Sequence, residues 1–273
     1  MMANERDQRG ASMLELIMVM ATIGVISAVV AVFIKGPIDG YFEGARRAAL
    51  TDTADTAVRR MARDIRKALP NSTRIRNAYP NAQCLEFIPT KTGGRYRAGV
   101  SLAFTGDILN FIAADTSFNM LGRNSDRPPA EQIEVNDVIA VYNLGLPGAD
   151  AYAEDNTSPV LGVVDGAETT LSIAAKLFPV ASGAKRFFVI PAGENVVAYV
   201  CDNDGNLRRT VRGFADATCP ATGAILATNV DSCNFTHDVS DLQRNAPVQL
   251  SVSFTDSGET ISPYYEVYVN NWP

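Results

Sequence analysis

The sequence predicts an α+β fold: a long N-terminal helix laid on an antiparallel β-sheet. Three observations carry that prediction. Residues 11–34 are apolar apart from Glu15 and a few small polar side chains, residues 42–69 continue as an amphipathic pattern that stops before Pro70, and the remainder is rich in short alternating segments. A helix with one apolar stripe needs an opposing layer, and strands from the same chain are the natural one.

The first helical part is long enough to cross a bilayer, since about 20 consecutive apolar residues suffice. Glu15 is its only charge, and no basic side chain occurs in the run before Lys35. A carboxylate in that setting costs roughly 2.5–3.5 kcal/mol on insertion scales, so it implies a partner from outside the helix. A secretory signal would have a shorter apolar core of about 7–15 residues and a basic start. Here Arg6 and Arg9 are offset by Glu5 and Asp7. An ordinary signal anchor accounts for the length but not for Gly10 and Glu15 together.

In the second part, Leu50, Ala54, Ala57, Val58, Met61, Ile65, Ala68 and Leu69 recur at helical spacing and form one stripe. Arg59, Arg60, Arg63, Asp64, Arg66 and Lys67 fall on the other faces, which read as solvated surface or as a contact between subunits. Pro70 cannot continue a helix and restricts Leu69, which becomes the predicted end. One helix over residues 12–69 would be roughly 85 Å long at 1.5 Å per residue. Gly36-Pro37 should kink or locally melt it.

Beyond Pro70, strands are predicted at 84–88, 99–104, 108–112, 133–142, 169–173, 186–190, 195–201, 248–254 and 264–269. Residues 248–254 and 265–269 alternate with period 2, which implies a sheet with one buried face. Residues 116–131 and 145–159 read as long connections. Asp202-Asn203-Asp204-Gly205-Asn206 lies between strand-like 197–201 and 207–211, and Asp-Gly there signals a hairpin turn. The competing reading is calcium, with Asp202, Asp204 and Asn206 as oxygen ligands, but the distal glutamate of an EF-hand is missing.

A net charge of −6 without a basic patch argues against nucleic-acid binding. Cys84, Cys201, Cys219 and Cys233 allow three disulfide pairings. The short loop from Cys219 to Cys233 favours that pair, leaving Cys84–Cys201. A zinc site is the weaker alternative, because no Cys-x-x-Cys occurs and His237 is the only histidine. His237-Asp238 has no nucleophile elbow to complete a hydrolase triad, so no catalytic residue and no cofactor is assigned.

The run Arg9-Gly10-Ala11-Ser12-Met13-Leu14-Glu15-Leu16, opening the apolar helix, resembles the N-terminus of type IV prepilins and type II secretion pseudopilins. The resemblance implies a leader over 1–10, cleavage between Gly10 and Ala11 by a prepilin peptidase, and N-methylation of Ala11. It makes Glu15 the assembly carboxylate, paired with the N-terminal amine of a neighbouring subunit. It further implies a membrane and assembly helix over 11–35, an amphipathic half over 36–70 and a periplasmic β-rich headgroup over 71–273. The segments 63–72, 84–89 and 199–201, with Gly205-Asn206-Leu207-Arg208-Arg209, are similar to the O-type minor pseudopilins of mannose-sensitive haemagglutinin (MSHA) pili and their J-type relatives.

The expected function is therefore that of a non-enzymatic minor pilin or pseudopilin helping to assemble, and in particular to prime, a type IV pilus-like filament. Its partners would be other minor and major pilins, the prepilin peptidase, the inner-membrane assembly platform and the membrane itself. The expected location is the bacterial inner membrane, single-pass with a periplasmic body, and then the filament. The alternatives are a tip adhesin that binds a surface ligand and a minor pseudopilin of a type II secretion system.

Overall fold

The computed structural model describes residues 12–78, 82–100, 105–216, 218–220, 222–237 and 247–269. The layout is α+β: helix α1 (Met13–Arg66) is followed by fifteen strands in antiparallel sheets among the described residues. The chain forms two compact units, Met1–Ala49 and Leu50–Pro273.

In the first unit, the side chains of residues 12–45 are exposed, and the helix is apolar all round through Ile34. Thr22 satisfies its hydroxyl within the helix, donating to the carbonyls of Met18 and Val19 at 2.9 and 3.0 Å. Helix α1 continues through Gly36-Pro37, so the expected melting at that pair does not occur. A single proline removes one intrahelical donor, a loss that long flanking helix can absorb.

In the second unit, Leu50, Ala54, Ala57, Val58, Met61, Ala62 and Ile65 form the predicted stripe and are buried. They pack against two sheets. One has the order β1 (Arg74–Ala78), β2 (Ala82–Phe87), β9 (Val196–Cys201), β10 (Leu207–Arg212), β11 (Ala224–Ala227); the other joins β12 (Val230–His237), β13 (Pro247–Asp256) and β14 (Glu259–Ile261), with β15 (Tyr264–Tyr268) also on β13. Leu85, Phe87, Val197 and Tyr199 from the first sheet meet Phe235, Val248, Leu250 and Val252 from the second in this core. The helix ends at Arg66, three positions before the predicted Leu69. Lys67 and Ala68 donate to Asp64 and Ile65 in a tightened last turn, and Leu69 N–H donates to Ile88 O at 2.7 Å. Strand pairing captures the backbone before Pro70 can act.

The third sheet was not foreseen as a separate body. Its order is β3 (Thr92–Arg95), β8 (Arg186–Ile190), β5 (Val138–Ala140), β6 (Thr157–Val164), β7 (Thr169–Lys176), β4 (Asp115–Met120). It closes on itself: Tyr96 bridges Met120, Leu121 N–H donates to Arg95 O, and Arg97 N–H donates to Asn119 O. Closure leaves no open edge to template pairing with another chain. Tyr96, Phe118, Met120, Leu171, Phe178 and Phe187 fill the interior.

Several predicted strands are displaced here. Residues 99–100 are irregular, and 101–104 lie outside the described residues. At 108–112 the chain turns instead, because Asn110 Oδ1 accepts the N–H groups of Ile112 and Ala113. The strand lies just beyond, at β4, inside a predicted connection. The expected 133–142 strand shrinks to β5. Asn136 sits at φ 76°, and Asp137 accepts Glu134 N–H at 2.8 Å, so a turn occupies its first half.

Both disulfides differ from the favoured pairing: Cys84 bonds Cys219 and Cys201 bonds Cys233. The sheet register gives the reason. Cys84 lies opposite Val200 on β9, so alternation sends Cys201 to the other face. Cys84 is packed with Ala198, Val200 and Cys219, whereas Cys201 faces the helical core beside β12. Strand β13 alternates buried and half-buried residues, as the period-2 pattern of 248–254 implies, whereas all six residues of β9 are buried, so the sheet around β9 has two covered faces.

The outer face of that sheet holds Glu86, which is fully buried. Its carboxylate meets Arg74, Arg76 at 3.0 Å and Arg212 at 2.9 Å, and the Arg212 side chain is itself only 2% exposed. The guanidinium of Arg74 lies 3.4 Å from the centre of the Tyr152 ring, a cation–π contact. Removing one partner from a buried pair leaves charge uncompensated, so Glu86→Ala should cost roughly 3–5 kcal/mol in urea unfolding. Non-reducing peptide mapping should recover Cys84 linked to Cys219 and Cys201 linked to Cys233. A Cys219–Cys233 peptide would refute this arrangement.

Candidate functional site

The N-terminal end of α1 is set by its own sequence. Ser12 precedes the first helical residue, and its Oγ accepts Glu15 N–H at 3.3 Å, while its carbonyl accepts the N–H groups of Glu15 and Leu16. Serine before a helix with glutamate three residues on is the capping-box pattern. The signal is local, since Ser12-Met13-Leu14-Glu15 carries it within one turn of sequence. Glu15 thus occupies the first turn, where a carboxylate is favoured by the helix dipole. Gly10 and Ala11, the expected cleavage and methylation positions, lie outside the described residues.

The run that follows contains an 18-residue window of mean hydropathy 2.7, none of it buried within the chain. By length and composition it is apolar enough to cross a membrane. The two disulfides fit an oxidising, periplasm-like compartment.

In the headgroup, residues 202–206 form the turn of the β9–β10 hairpin, with Gly205 at φ 76°. Asp202 organises it: Oδ1 accepts the N–H groups of Asp204 and Asn206 at 3.0 and 2.8 Å, and Oδ2 accepts Arg208 Nε at 2.5 Å. Burial pushes the Asp202 carboxyl up, but the bonds from Arg208, Asn206 and Asp204 outweigh it and hold it below the usual aspartate range. A guanidinium on the same carboxylate opposes a divalent cation, so the turn reading accounts for Asp202, Asp204 and Asn206 without calcium. A second constellation, Cys84, Glu86 and Cys219, brings potential metal ligands within 4.8 Å of one another. Its two sulfurs are bonded to each other and its carboxylate is engaged by arginines, which leaves no thiolate to bind metal.

Asp64 departs from the solvated face assigned to it. It accepts Tyr199 Oη at 2.7 Å and Arg209 Nε at 3.1 Å, while Arg209 also grips both oxygens of Glu194. Burial, and then the Asp64 charge, push the Tyr199 phenol up, keeping it a neutral donor. This contact ties the helix to β9 and β10 and was not legible from the helix pattern alone. Arg59 stays on the exposed face, paired with Asp55 at 2.6 Å.

No family model, curated protein or solved structure matches the chain at a significant level.

Asp202→Asn should lower headgroup stability by roughly 1.5–3 kcal/mol near neutral pH, the range for hydrogen bonds to a charged group. Because the folded-state pKa is depressed, this contribution is present above the unfolded value of about 3.9 and is lost as pH falls through the folded value. Urea unfolding of the two proteins should therefore differ at pH 7 and converge in strong acid. A constant difference across that range would assign the effect to packing instead.

Proposed function

We propose that this chain is a minor pilin or pseudopilin, inserted in a bacterial inner membrane with a periplasmic headgroup and later incorporated into a type IV pilus-like filament. The observation that carries the reading is Glu15, the single charge in the run 11–34, placed five residues after Gly10. Before assembly the all-round apolar surface of the helix suits lipid. After assembly it suits neighbouring helices of the same kind.

In this reading a prepilin peptidase cuts after Gly10, and Ala11 becomes an N-methylated amine. The Glu15 carboxylate, uncompensated within its own helix, recruits the equivalent amine of an adjacent subunit. Pairing in a low-dielectric medium supplies both attraction and register, because an unmatched charge is disfavoured at every other helix offset. The capped first turn supports this role by presenting Glu15 from ordered backbone. The reading assigns the headgroup an assembly role rather than a catalytic one; its four cysteines are bonded in two disulfides, and Glu86, Glu168, Glu194 and Asp202 each meet an arginine. A headgroup with a barrel and two further sheets suits a subunit used sparingly, at the tip or in priming, better than one repeated along a shaft.

Intact mass and N-terminal sequencing, with and without prepilin peptidase, test the first step. A product starting at N-methylated Ala11 that appears only with the peptidase is expected, and an uncut chain in its presence would end the proposal. Glu15→Val should insert into membranes normally yet enter filaments at least tenfold less, measured by immunoblotting of membrane and sheared-filament fractions. Normal incorporation of that variant would refute the role assigned to Glu15.

A further inference from the structure

One face of the barrel carries an arrangement that the assembly reading does not use. A groove of about 410 Å³ is lined by Arg66, Ala68 and Pro70 from the end of the helix, by Gly93 and Arg95 on β3, and by Arg186 and Phe188 on β8. Arg95 and Arg186 are directly opposed in the strand register. Directly opposed residues hold their Cβ atoms about 4.5–5.5 Å apart, and like charges in that relation destabilise a sheet.

None of the three arginines has an acidic partner among the described residues. Six other headgroup arginines do: Arg74, Arg76 and Arg212 share Glu86, Arg97 pairs with Glu168, Arg208 with Asp202, and Arg209 with Asp64 and Glu194. Arg123 and Arg127 are instead satisfied by backbone carbonyls, those of Gly166 and Gly93. In a chain of net charge −6, acids are not scarce, yet none is placed here. The Lys67 carbonyl at the helix end does not supply compensation either, since it is taken by the N–H and hydroxyl of Thr90, both at 2.8 Å.

The floor is shaped as well as charged. A Cβ at Gly93 would meet Phe187 O at 3.0 Å and Phe188 Cδ1 at 3.6 Å, so glycine keeps the surface beside the Phe188 ring open. Guanidinium forks match phosphate and carboxylate geometry, and an aromatic and aliphatic wall suits the body that carries such a group. The volume falls in the range of small-molecule pockets, about 300–1,000 Å³.

We propose that this groove binds an oxyanion, a phosphate or carboxylate group, on a small molecule with an apolar face. Arg95 and Arg186 clamp the anion, Arg66 adds a third charge from the helix end, and Phe188 with Pro70 receives the apolar part. The bound anion relieves the repulsion between the opposed arginines. The inference does not depend on the pilin reading, because it concerns the headgroup alone.

The test uses the full-length protein in detergent micelles, titrated calorimetrically with phenyl phosphate, benzoate and inorganic phosphate at matched ionic strength. Saturable binding of phenyl phosphate is expected, at least tenfold tighter than inorganic phosphate. Benzoate distinguishes a carboxylate from a phosphate preference. Arg186→Gln should weaken binding at least tenfold, while its melting temperature in anion-free buffer equals or exceeds that of the unsubstituted protein. Arg66→Gln, at an exposed helical position, gives an independent reading should the strand variant fail to fold. Binding unchanged in either folded variant, no saturable binding at all, or a lower anion-free melting temperature for Arg186→Gln would overturn the proposal.

Discussion

Between Leu50 and Ile65 the helix carries a stripe that cannot face water, and much of the headgroup follows from covering it. Small residues, Ala54 and Ala57, bring the backbone close, while Met61 and Ile65 are fully buried among side chains from two sheets. Strand β9 lies within that cover and contributes Val197, Tyr199 and Cys201 to it. Its alternate residues then face the other way and need a cover of their own. The segment carrying Cys219, tied to Cys84, and the cluster around Glu86 supply it. Burying a carboxylate there is tolerable only because three guanidiniums and the Tyr152 ring converge on the same place.

The disulfides and the polar contacts strengthen the same joint. Cys201–Cys233 connects the two sheets under the helix, and Asp64 binds Tyr199 and Arg209 across the helix–sheet boundary. The barrel attaches at the helix end: Asn143 donates to Pro70 O at 2.7 Å, and Leu69, Ile88, Ala140 and Ile190 share a small core. The groove arises at this attachment, where an interrupted helix, a glycine-containing strand and a strand bearing Arg186 come side by side. The part of the helix through Ile34 has a different logic. It is apolar all round rather than along one stripe, so a surrounding apolar medium, not a sheet of its own chain, is the environment its composition fits.

Much of this was legible in the sequence wherever the information is local. The stripe from Leu50 to Ile65, the strands 186–190 and 248–254, the Asp202–Asn206 hairpin and the Gly10–Glu15 pattern can each be read within a few turns or residues of chain. Ser12 as a cap belongs with them, since its partner is three positions away. What sequence reading misplaced involved turns that compete with alternating apolar residues. Asn110 and the Asn136-Asp137 pair bend segments that otherwise look like strands, because side-chain oxygens capture the backbone donors a ladder would need.

Local pattern is enough to specify an α+β chain with an apolar N-terminal helix, an amphipathic continuation and a β-rich body, because helical and strand periodicities are set by neighbouring residues. Which cysteines bond follows from the pairing of β2 with β9, because that register puts Cys84 and Cys201 on opposite faces of the sheet. The same holds for the closure of the barrel, for Glu86 among its arginines and for Arg95 opposite Arg186. Each depends on residues far apart in the chain, and their meeting is fixed by strand order and register, which local pattern does not encode.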